Sequence, residues 1–441
     1  MSSDELAERV LGAARRSADQ TEVFVLEADE TPVRFEANRL KQISSRRTSG
    51  LALRVVKNGR IGFASSTAPG DVENLVAMAL DVAQFGAEAK FDVAEAAEYP
   101  PVDVCDEAVE AVSAETMVQL GQTVIDRIRA DAAELLCEAS VHRVVQRIRL
   151  LTSGGADASY KRTIFAVHAE GTLVRGTDML FLGDGEASCR LMRSGHTIAE
   201  AILQQLAWAR ETAPAVTTKR MPVVFTPQGF ASTFLAPLAS AFSGRSVLQG
   251  SSPIGHRKGE AVYDHQLSIV DDATIAFRPS SRSFDAEGVA SRRVPLIDRG
   301  VVANFLYDRQ TAGLAGVEST GHGERSLSTL PSISPATLMV EPGPCTFEEM
   351  LSDIDEGIVV EVLMGATQGN VQGGDFSGNV LLGYKVERGK IVGRVKNTMV
   401  AGNAHEALAN IVAIGSEPRW VGGSIYLPAI AFAELSVSTV G

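Results

Sequence analysis

Two carboxylates and three arginines crowd one short stretch of this 441-residue chain. Asp285 and Glu287 are separated by one residue, Arg282 precedes them, and Arg292 and Arg293 follow. Paired carboxylates can perform acid–base chemistry when burial raises the pKa of one of them. Carboxylates beside arginines more often form ion pairs that hold a turn. We therefore expect these residues at the edge of the C-terminal domain, paired with one another and bordering a cavity or interface.

A second set of residues has the donor types that metal ions bind. The set is His256, Asp264, His265, Asp271 and Asp272, and four of the five could lie near one another if the segment folded as a hairpin. Nothing in their spacing forces the ligands to converge, and a solvated polar turn explains the same composition. We expect the turn and keep a metal cluster of His256, Asp264 and His265 as the alternative.

Familiar catalytic motifs are incomplete in this sequence. It has no GxSxG, and Gly250–His256 imitates only the first half of a phosphate-binding loop, without its lysine. His405 and Glu406 begin as a zinc-binding helix would, but Ala409 and Asn410 stand where the second histidine is needed. These motifs therefore predict no catalytic residue.

The overall composition excludes some classes of partner and of metal or disulfide site. A net charge of −13 repels phosphate backbones, so nucleic acid is not expected. The four cysteines, Cys105, Cys137, Cys189 and Cys345, stand far apart, which indicates reduced thiols rather than a zinc ribbon or a disulfide framework. No signal peptide and no long apolar stretch is present, so we expect a cytoplasmic protein without membrane contact.

The first half of the chain mixes helices with strands. Ser2 and Glu5 form the signature of a capping box ahead of an amphipathic helix. Two β-rich runs flank Asn58-Gly59, which predicts a hairpin with a two-residue turn. Two further helices are predicted to begin near Asp71 and Glu115, and another is predicted to run from His196 to Arg210.

After a linker-like segment, Glu211–Pro222, the pattern of the sequence changes from mixed helix and strand signals to mostly strand signals. Glycine-containing turns separate short apolar runs such as PLIDRGVVANFLYD and GYKVERGKIVGRV, a pattern typical of a barrel or sandwich. We predict an α+β fold with a boundary near residue 216. Residues 1–215 would form an α/β domain with an antiparallel sheet, and residues 216–441 a barrel-like, mostly β domain.

Three segments spread along the chain carry a family resemblance: ANRLKQISSRRTSGLALRVVKNGRIGFASST, SFDAEGVASRRVPLIDRGVVANFLYDRQTA and GGDFSGNVLLGYKVERGKIVGRVKNTMVAGN. In order and spacing they are similar to segments of the TldD/TldE (PmbA) metalloprotease proteins, and the resemblance covers nearly the whole chain. It implies an N-terminal α/β domain and a C-terminal, barrel-like β domain, in agreement with the pattern above.

The resemblance also implies where a metal site would lie. In TldD-type subunits a helix after a buried strand carries HExxxH, whose histidines hold the metal and whose glutamate is the general base. Here the strand is Val223–Phe225, and Ala236, Pro237 and Ala241 fall at the three functional positions. The late cysteine ligand is missing too, since no cysteine follows Cys345. We therefore expect no catalytic residue, metal or other cofactor in this chain.

This pattern is similar to the TldE (PmbA) type of subunit, which lacks the motif and pairs with a zinc-holding TldD-type subunit. The implied function is a non-catalytic half of a heterodimeric metalloprotease that acts on small or unfolded peptides. Its interface or chamber wall is predicted at PAIAFAELSVS and at 365–383. Two alternatives stay open: a homodimeric peptide-binding or scaffold protein, and an enzyme with altered chemistry at His256, Asp264 or His265.

Overall fold

The computed structural model describes residues 2–67, 71–216 and 219–439. Within these residues, no helix combines the length and apolar composition that crossing a membrane requires. The elements of the first part are, in chain order, α1 (Ser3–Ala14), β1 (Gln20–Glu36), β2 (Arg39–Ile43), β3 (Arg46–Lys57), β4 (Arg60–Ser66), α2 (Val72–Ala83), α3 (Glu107–Ala111), α4 (Ala114–Asp131), β5 (Leu136–Thr152), β6 (Asp157–Arg175), β7 (Asp178–Ser188) and α5 (His196–Trp208).

Local sequence signals account for the ends of these elements. Ser2 and Glu5 form the predicted capping box of α1. Asn58 and Gly59 join β3 to β4 with φ angles of 51° and 71°, the left-handed geometry of a two-residue hairpin turn. Helix α2 begins next to Asp71, as predicted, and the side chain of Asp71 caps it. These predictions from the sequence are confirmed.

The strands of the first part form one seven-stranded sheet in the order β4-β3-β1-β5-β6-β7, with β2 beside β1. Every pairing in it is antiparallel. Side chains alternate between its two faces. On β1, Val23 packs with α1 and α2, and Phe35 with α4, while Phe24 on the opposite face packs against Phe284 and Ala286.

Among its described residues, the second part contains shorter strands and one long helix. Its elements are β8 (Lys219–Phe225), α6 (Pro227–Phe242), α7 (Gly244–Leu248), β9 (Ile269–Asp272), β10 (Arg293–Asp298), β11 (Val301–Val302), α8 (Arg309–Ala315), β12 (Gly323–Glu324), β13 (Ser332–Ile333), β14 (Leu338–Val340), α9 (Phe347–Ser352), β15 (Glu356–Met364), β16 (Asp375–Glu387), β17 (Lys390–Arg394), β18 (Thr398–Asn403), α10 (Ala404–Leu408), β19 (Ile411–Ile414), β20 (Arg419–Val421), β21 (Ile425–Leu427) and β22 (Ile430–Thr439).

The late strands close a barrel. Strands β15, β8, β22, β18 and β16 pair in that order, and a pairing between β15 and β16 completes the ring. β15 and β8 run parallel, whereas the other neighbours are antiparallel. A six-stranded sheet in the order β11-β10-β9-β14-β21-β20 shares the barrel's hydrophobic core. The predicted α+β fold with a barrel-like C-terminal part is confirmed.

The apolar run PAIAFAELSVS was predicted at an interface or in a chamber wall, and that placement stays a prediction. The run lies almost entirely in β22, a barrel strand that pairs with β8, β18 and β19. Ile430 and Phe432 are at most 2% exposed and belong to the core. The apolar sequence is explained by burial within the chain itself.

One continuous core joins the two parts of the molecule. It contains Val141 and Phe165 from the large sheet, Ile125 from α4, and Val359 and Tyr384 from the barrel. Part of the predicted linker takes part in β-structure. Thr212 forms a β-bridge with Arg394, and the last four residues of the predicted linker are the first four of β8. The chain thus enters the barrel before the predicted linker ends. The domain boundary near residue 216 stays a prediction.

Candidate functional site

Helix α6 begins where the sequence supplies two start signals. The Thr226 hydroxyl accepts a hydrogen bond from the N–H of Gly229 at 3.2 Å, and Pro227 occupies the first turn, where no donor is needed. Gly229 lies close against β15, since an added Cβ would be 2.2 Å from the carbonyl oxygen of Val360. Cap, proline and glycine together fix the direction in which the helix leaves the barrel.

The buried face of α6 packs against the barrel with aromatic rings. Phe234 is fully buried, and its ring centroid lies 5.1 Å from that of Phe225 on β8 and 5.3 Å from that of Phe432 on β22. Phe230 stacks on Phe234 at 4.6 Å. This side of the helix is therefore core, as its apolar sequence indicates.

The positions matched to HExxxH hold no group that can bind a metal. Ala236 is exposed, whereas Pro237 and Ala241 are buried. Beside Leu238 and Phe242 lies an apolar cavity of about 10 Å³. Within the part of the chain that is described, no three histidine, cysteine, aspartate or glutamate side chains converge as a metal site requires. The expectation of a metal-free chain stays a prediction.

The alternative metal cluster is dispersed. His265 Nδ1 lies 3.2 Å from Asp264 Oδ1, but the imidazole is 87% exposed. The same Asp264 oxygen accepts a hydrogen bond from the N–H of Gln266 at 2.9 Å. His256 is exposed on another turn. This is the geometry of a solvated polar turn.

Asp271 and Asp272 serve local partners in the structure. Asp271 is fully buried, accepts a hydrogen bond from the N–H of Ala336 at 2.8 Å and lies 3.2 Å from His322 Nε2. Asp272 accepts one from the Thr274 hydroxyl at 2.6 Å. Neither carboxylate shares a centre with the histidines discussed above.

His405, which opened the incomplete zinc motif, is also engaged. Its Nδ1 lies 2.9 Å from the hydroxyl of Tyr263. Burial lowers the pKa of His405, which favours a neutral imidazole. Helix α10 spans only Ala404–Leu408, so it is too short to present a second ligand one turn further on.

The charged residues that the fold does bring together lie between the large sheet and the second part of the chain. Arg54 on β3 donates to Glu287 Oε1 and to Glu22 Oε2, both at 2.7 Å. Arg325 Nη1 lies 2.8 Å from Glu22 Oε1. All four side chains are at most 3% exposed. We call Glu22, Arg54, Glu287 and Arg325 the buried charge network.

Asp285 organises the turn that carries Glu287 into this network. Its Oδ1 accepts hydrogen bonds from the N–H groups of Glu287 at 3.0 Å and Val289 at 2.9 Å, and its Oδ2 accepts one from Gly323 at 2.8 Å. Gly288 within the turn has φ of 72°, a conformation that favours glycine. Asp285 therefore holds the backbone of this turn in place through three hydrogen bonds.

Burial raises the pKa of Glu287 to about 7; Arg54 opposes this rise, and Asp285 and Glu22 add to it. Burial likewise raises the pKa of Asp285. Although burial opposes it, the pKa of Glu22 is lowered by Arg54 and Arg325. One carboxyl group of the network therefore exchanges its proton near neutral pH, while Glu22 stays ionised.

The structure corrects the pairing expected for this cluster. The three arginines near Asp285 each contact another group: Arg282 contacts Glu324, Arg292 the carbonyl oxygen of Ser319, and Arg293 Glu341. Glu287 pairs instead with Arg54, because the turn packs face to face with β3. Asp285 and Glu287 are buried rather than at a domain edge, whereas Arg292 and Arg293 are exposed. Their role at a cavity or interface stays a prediction.

A second buried carboxyl group escaped the sequence reasoning. Glu361 on β15 has its pKa raised to about 7 by burial, against the effects of Arg419 and of hydrogen bonds with Thr226 and Gln205. Because Thr226 caps α6, Glu361 lies at the start of that helix. The available signal was one glutamate inside the apolar run IVVEVLM.

Open clefts surround the start of α6. A cleft of about 300 Å³ is lined by Gln228, His168, Asp184 and Glu186. A neighbouring cleft of about 630 Å³ shares Asp184 and Glu186 and is bounded by Trp420. The clefts were not predicted, because they form between distant strands.

A large antiparallel sheet, a closed barrel and a helix that follows β8 make up the architecture, and family sequence patterns relate it to metallopeptidases. The sequence pattern of the PmbA/TldA metallopeptidase C-terminal domain matches residues 218–439, which is half of the chain, and that of PmbA/TldA metallopeptidase domain 1 matches residues 21–83. The chain therefore belongs to the TldD/TldE (PmbA) family, as its resemblance predicted.

Individual relatives match along almost the entire chain. A metalloprotease of Methanothermobacter thermautotrophicus is 27% identical, over 86% of this chain and 84% of its own. Metalloprotease PmbA of Escherichia coli O157:H7 is 24% identical, over 98% of this chain and 96% of its own. The crystal structure of TldE from Thermococcus kodakarensis superposes with a TM-score of 0.88 at 23% identity, over 98% of this chain and 99% of that one. The fold is thus shared.

Proposed function

We propose that this chain is the non-catalytic, TldE-type subunit of a two-subunit cytoplasmic metalloprotease that cleaves small or unfolded peptides. The observation that supports this proposal is the composition of α6. By the resemblance to TldD-type subunits, Ala236, Pro237 and Ala241 fall at the positions of two metal ligands and a general base. These side chains have no atom that can bind zinc or take a proton from water. The zinc would belong to a partner that carries HExxxH.

The contribution of this chain would then be to confine the substrate. The clefts near Gln228 and Trp420 have room for an extended peptide segment. The buried charge network holds the large sheet against the second part of the chain, so that the walls of such clefts keep their spacing. A rigid wall lowers the entropy cost of positioning a flexible peptide.

Co-expression with an HExxxH-bearing relative from the same genome tests the proposal. We expect one stable complex, zinc bound to the partner, and cleavage of an unfolded peptide that needs both chains. Replacing the partner's two histidines should abolish cleavage and leave assembly intact. A homodimer of this chain that forms no complex with the relative, and that binds peptide without cleaving it, would favour the scaffold alternative. Cleavage by this chain alone, lost on replacing His256 or His265, would favour altered chemistry.

A further inference from the structure

One half of a face of the large sheet is open, and it contains a cavity. Near one end of β1 this face is covered by Phe284 and Ala286. Toward the other end a cavity of about 400 Å³ lies over β1, β2 and β5. We call it the sheet cavity. It is lined by Glu30, Pro32, Arg34, Gln42, Ser44, Arg46, Ser140 and His142.

Strand register explains why these distant residues share one cavity. Arg34 on β1 pairs with Gln42 on β2 and with Ser140 on β5, while Pro32 pairs with His142. Residues two apart on a strand project from the same face. The sheet therefore presents all of these side chains toward the same space, and the site is built on rigid strands.

The lining is rich in hydrogen-bond donors. Two guanidinium groups, one amide, two hydroxyls and an imidazole face the cavity, against a single carboxylate, that of Glu30. Arg46 is already paired with Glu30, with Nη2 2.6 Å from Oε2. Arg34 is exposed and has no ion pair among the described residues. The cavity thus retains one unneutralised positive charge.

The pKa of His142 is affected by the same positive charges. Burial lowers the pKa of His142, and the two arginines, Arg46 and Arg34, lower it further, while only Glu30 raises it. The guanidinium charges therefore act on the space that His142 faces. A neutral imidazole still offers one N–H donor to a ligand.

We infer that the sheet cavity binds the carboxylate of a peptide, with Arg34 as its main charged contact. A carboxylate accepts several hydrogen bonds and matches the guanidinium fork of arginine. Pro32 supplies an apolar contact for the last side chain of the peptide. This inference rests on the proposed function, because it assumes a peptide ligand, and it adds a preference for peptides with a free C-terminus.

Calorimetric titration of the purified chain tests this inference with a short N-acetylated peptide acid and its C-terminal amide. We expect the acid to bind about tenfold more tightly, since only the acid carries the charge that Arg34 recognises. Arg34→Ala should weaken binding of the acid about fivefold and leave the amide unchanged. Glu30→Gln should tighten binding of the acid, because it removes the only carboxylate. Saturation with the acid should raise the pKa of His142 in an NMR titration.

Arg39→Ala is the matched control, because Arg39 is an exposed arginine on the neighbouring strand β2 but does not line the cavity. Its affinity for the acid should equal that of the wild type. Equal affinities for acid and amide, or no effect of Arg34→Ala in a folded variant, would overturn the inference. Tighter binding of inorganic phosphate than of the peptide acid would also overturn it. A chain that assembles with an HExxxH-bearing relative and fails this test would leave the proposed function standing.

Discussion

Arg54 Nη1 lies 2.7 Å from Glu287 Oε1, and this ion pair joins residues 233 positions apart in the chain. Arg54 belongs to the large sheet, whereas Glu287 belongs to a turn in the second half, and neither side chain is more than 3% exposed. Separating the two parts would break this pair and the contact between Arg325 and Glu22. The ion pair therefore fixes how the sheet sits on the rest of the molecule.

Removing Arg54 should destabilise the chain strongly. Arg54→Ala leaves Glu22 and Glu287 buried without their shared cation, and losing one partner of a buried ion pair costs about 3–5 kcal/mol. Urea unfolding measures this change. The control is Arg47→Ala on the same strand, because Arg47 pairs with Asp29 while 84% exposed, and such pairs contribute less than about 1 kcal/mol. Equal losses for the two variants would contradict a structural role for the network.

The pH dependence of stability should report the proton on Glu287. Folding raises its pKa from an ordinary value of 4.5 to about 7, so the native state keeps a proton that the unfolded chain has released. The resulting stabilisation is complete below pH of about 4.5 and is lost as the pH rises through about 7.

Glu287→Gln stays neutral at every pH and isolates this effect. From pH 5 to pH 8, the unfolding free energy of the wild type minus that of the variant should fall by on the order of 1–3 kcal/mol. A difference that stays constant from pH 5 to pH 8 would mean that Glu287 is already ionised in the folded protein and would contradict this prediction. In the proposed complex, the variant should retain metal and peptide cleavage once assembled. Normal assembly and metal content with lost cleavage would instead assign Glu287 to the chemistry.

Helix α6 should depend on its buried aromatic ring. Phe234→Ala removes a fully buried side chain that contacts rings on two barrel strands, and such truncations cost about 3–5 kcal/mol. Phe85→Ala is the matched control, since Phe85 is 89% exposed and should change stability by less than about 0.5 kcal/mol. Thermal or urea unfolding distinguishes the two. A small loss at Phe234 would mean that α6 is not anchored by this cluster.

The isolated chain should be indifferent to chelators. Because Ala236, Pro237 and Ala241 offer no ligand, elemental analysis should find far less than one zinc per chain. A chelator should also leave the thermal midpoint unchanged, since no metal-binding energy contributes to folding. Stoichiometric zinc that disappears on replacing His256 or His265 would contradict this prediction.

Local chemistry was enough to predict many elements. The capping box at Ser2 and the hairpin at Asn58-Gly59 each depend on a few adjacent residues, and both form as predicted. The ends of longer elements were harder to predict from the sequence. Helix α5 was expected to reach Arg210 but ends at Trp208, because helix ends fray and local signals fix them only to within a residue or two.

The sequence alone determined the absence of metal ligands at Ala236, Pro237 and Ala241 and the mixed α+β pattern, because both depend only on residue types and their local spacing. Only the tertiary structure decided the partners of Glu287. Arginines nearby in sequence were the expected choice, yet Arg54 reaches it from a distant strand. The sheet cavity likewise exists only after β1, β2 and β5 adopt their register. Contacts between distant residues depend on how whole elements pack, and local spacing carries no information about that packing.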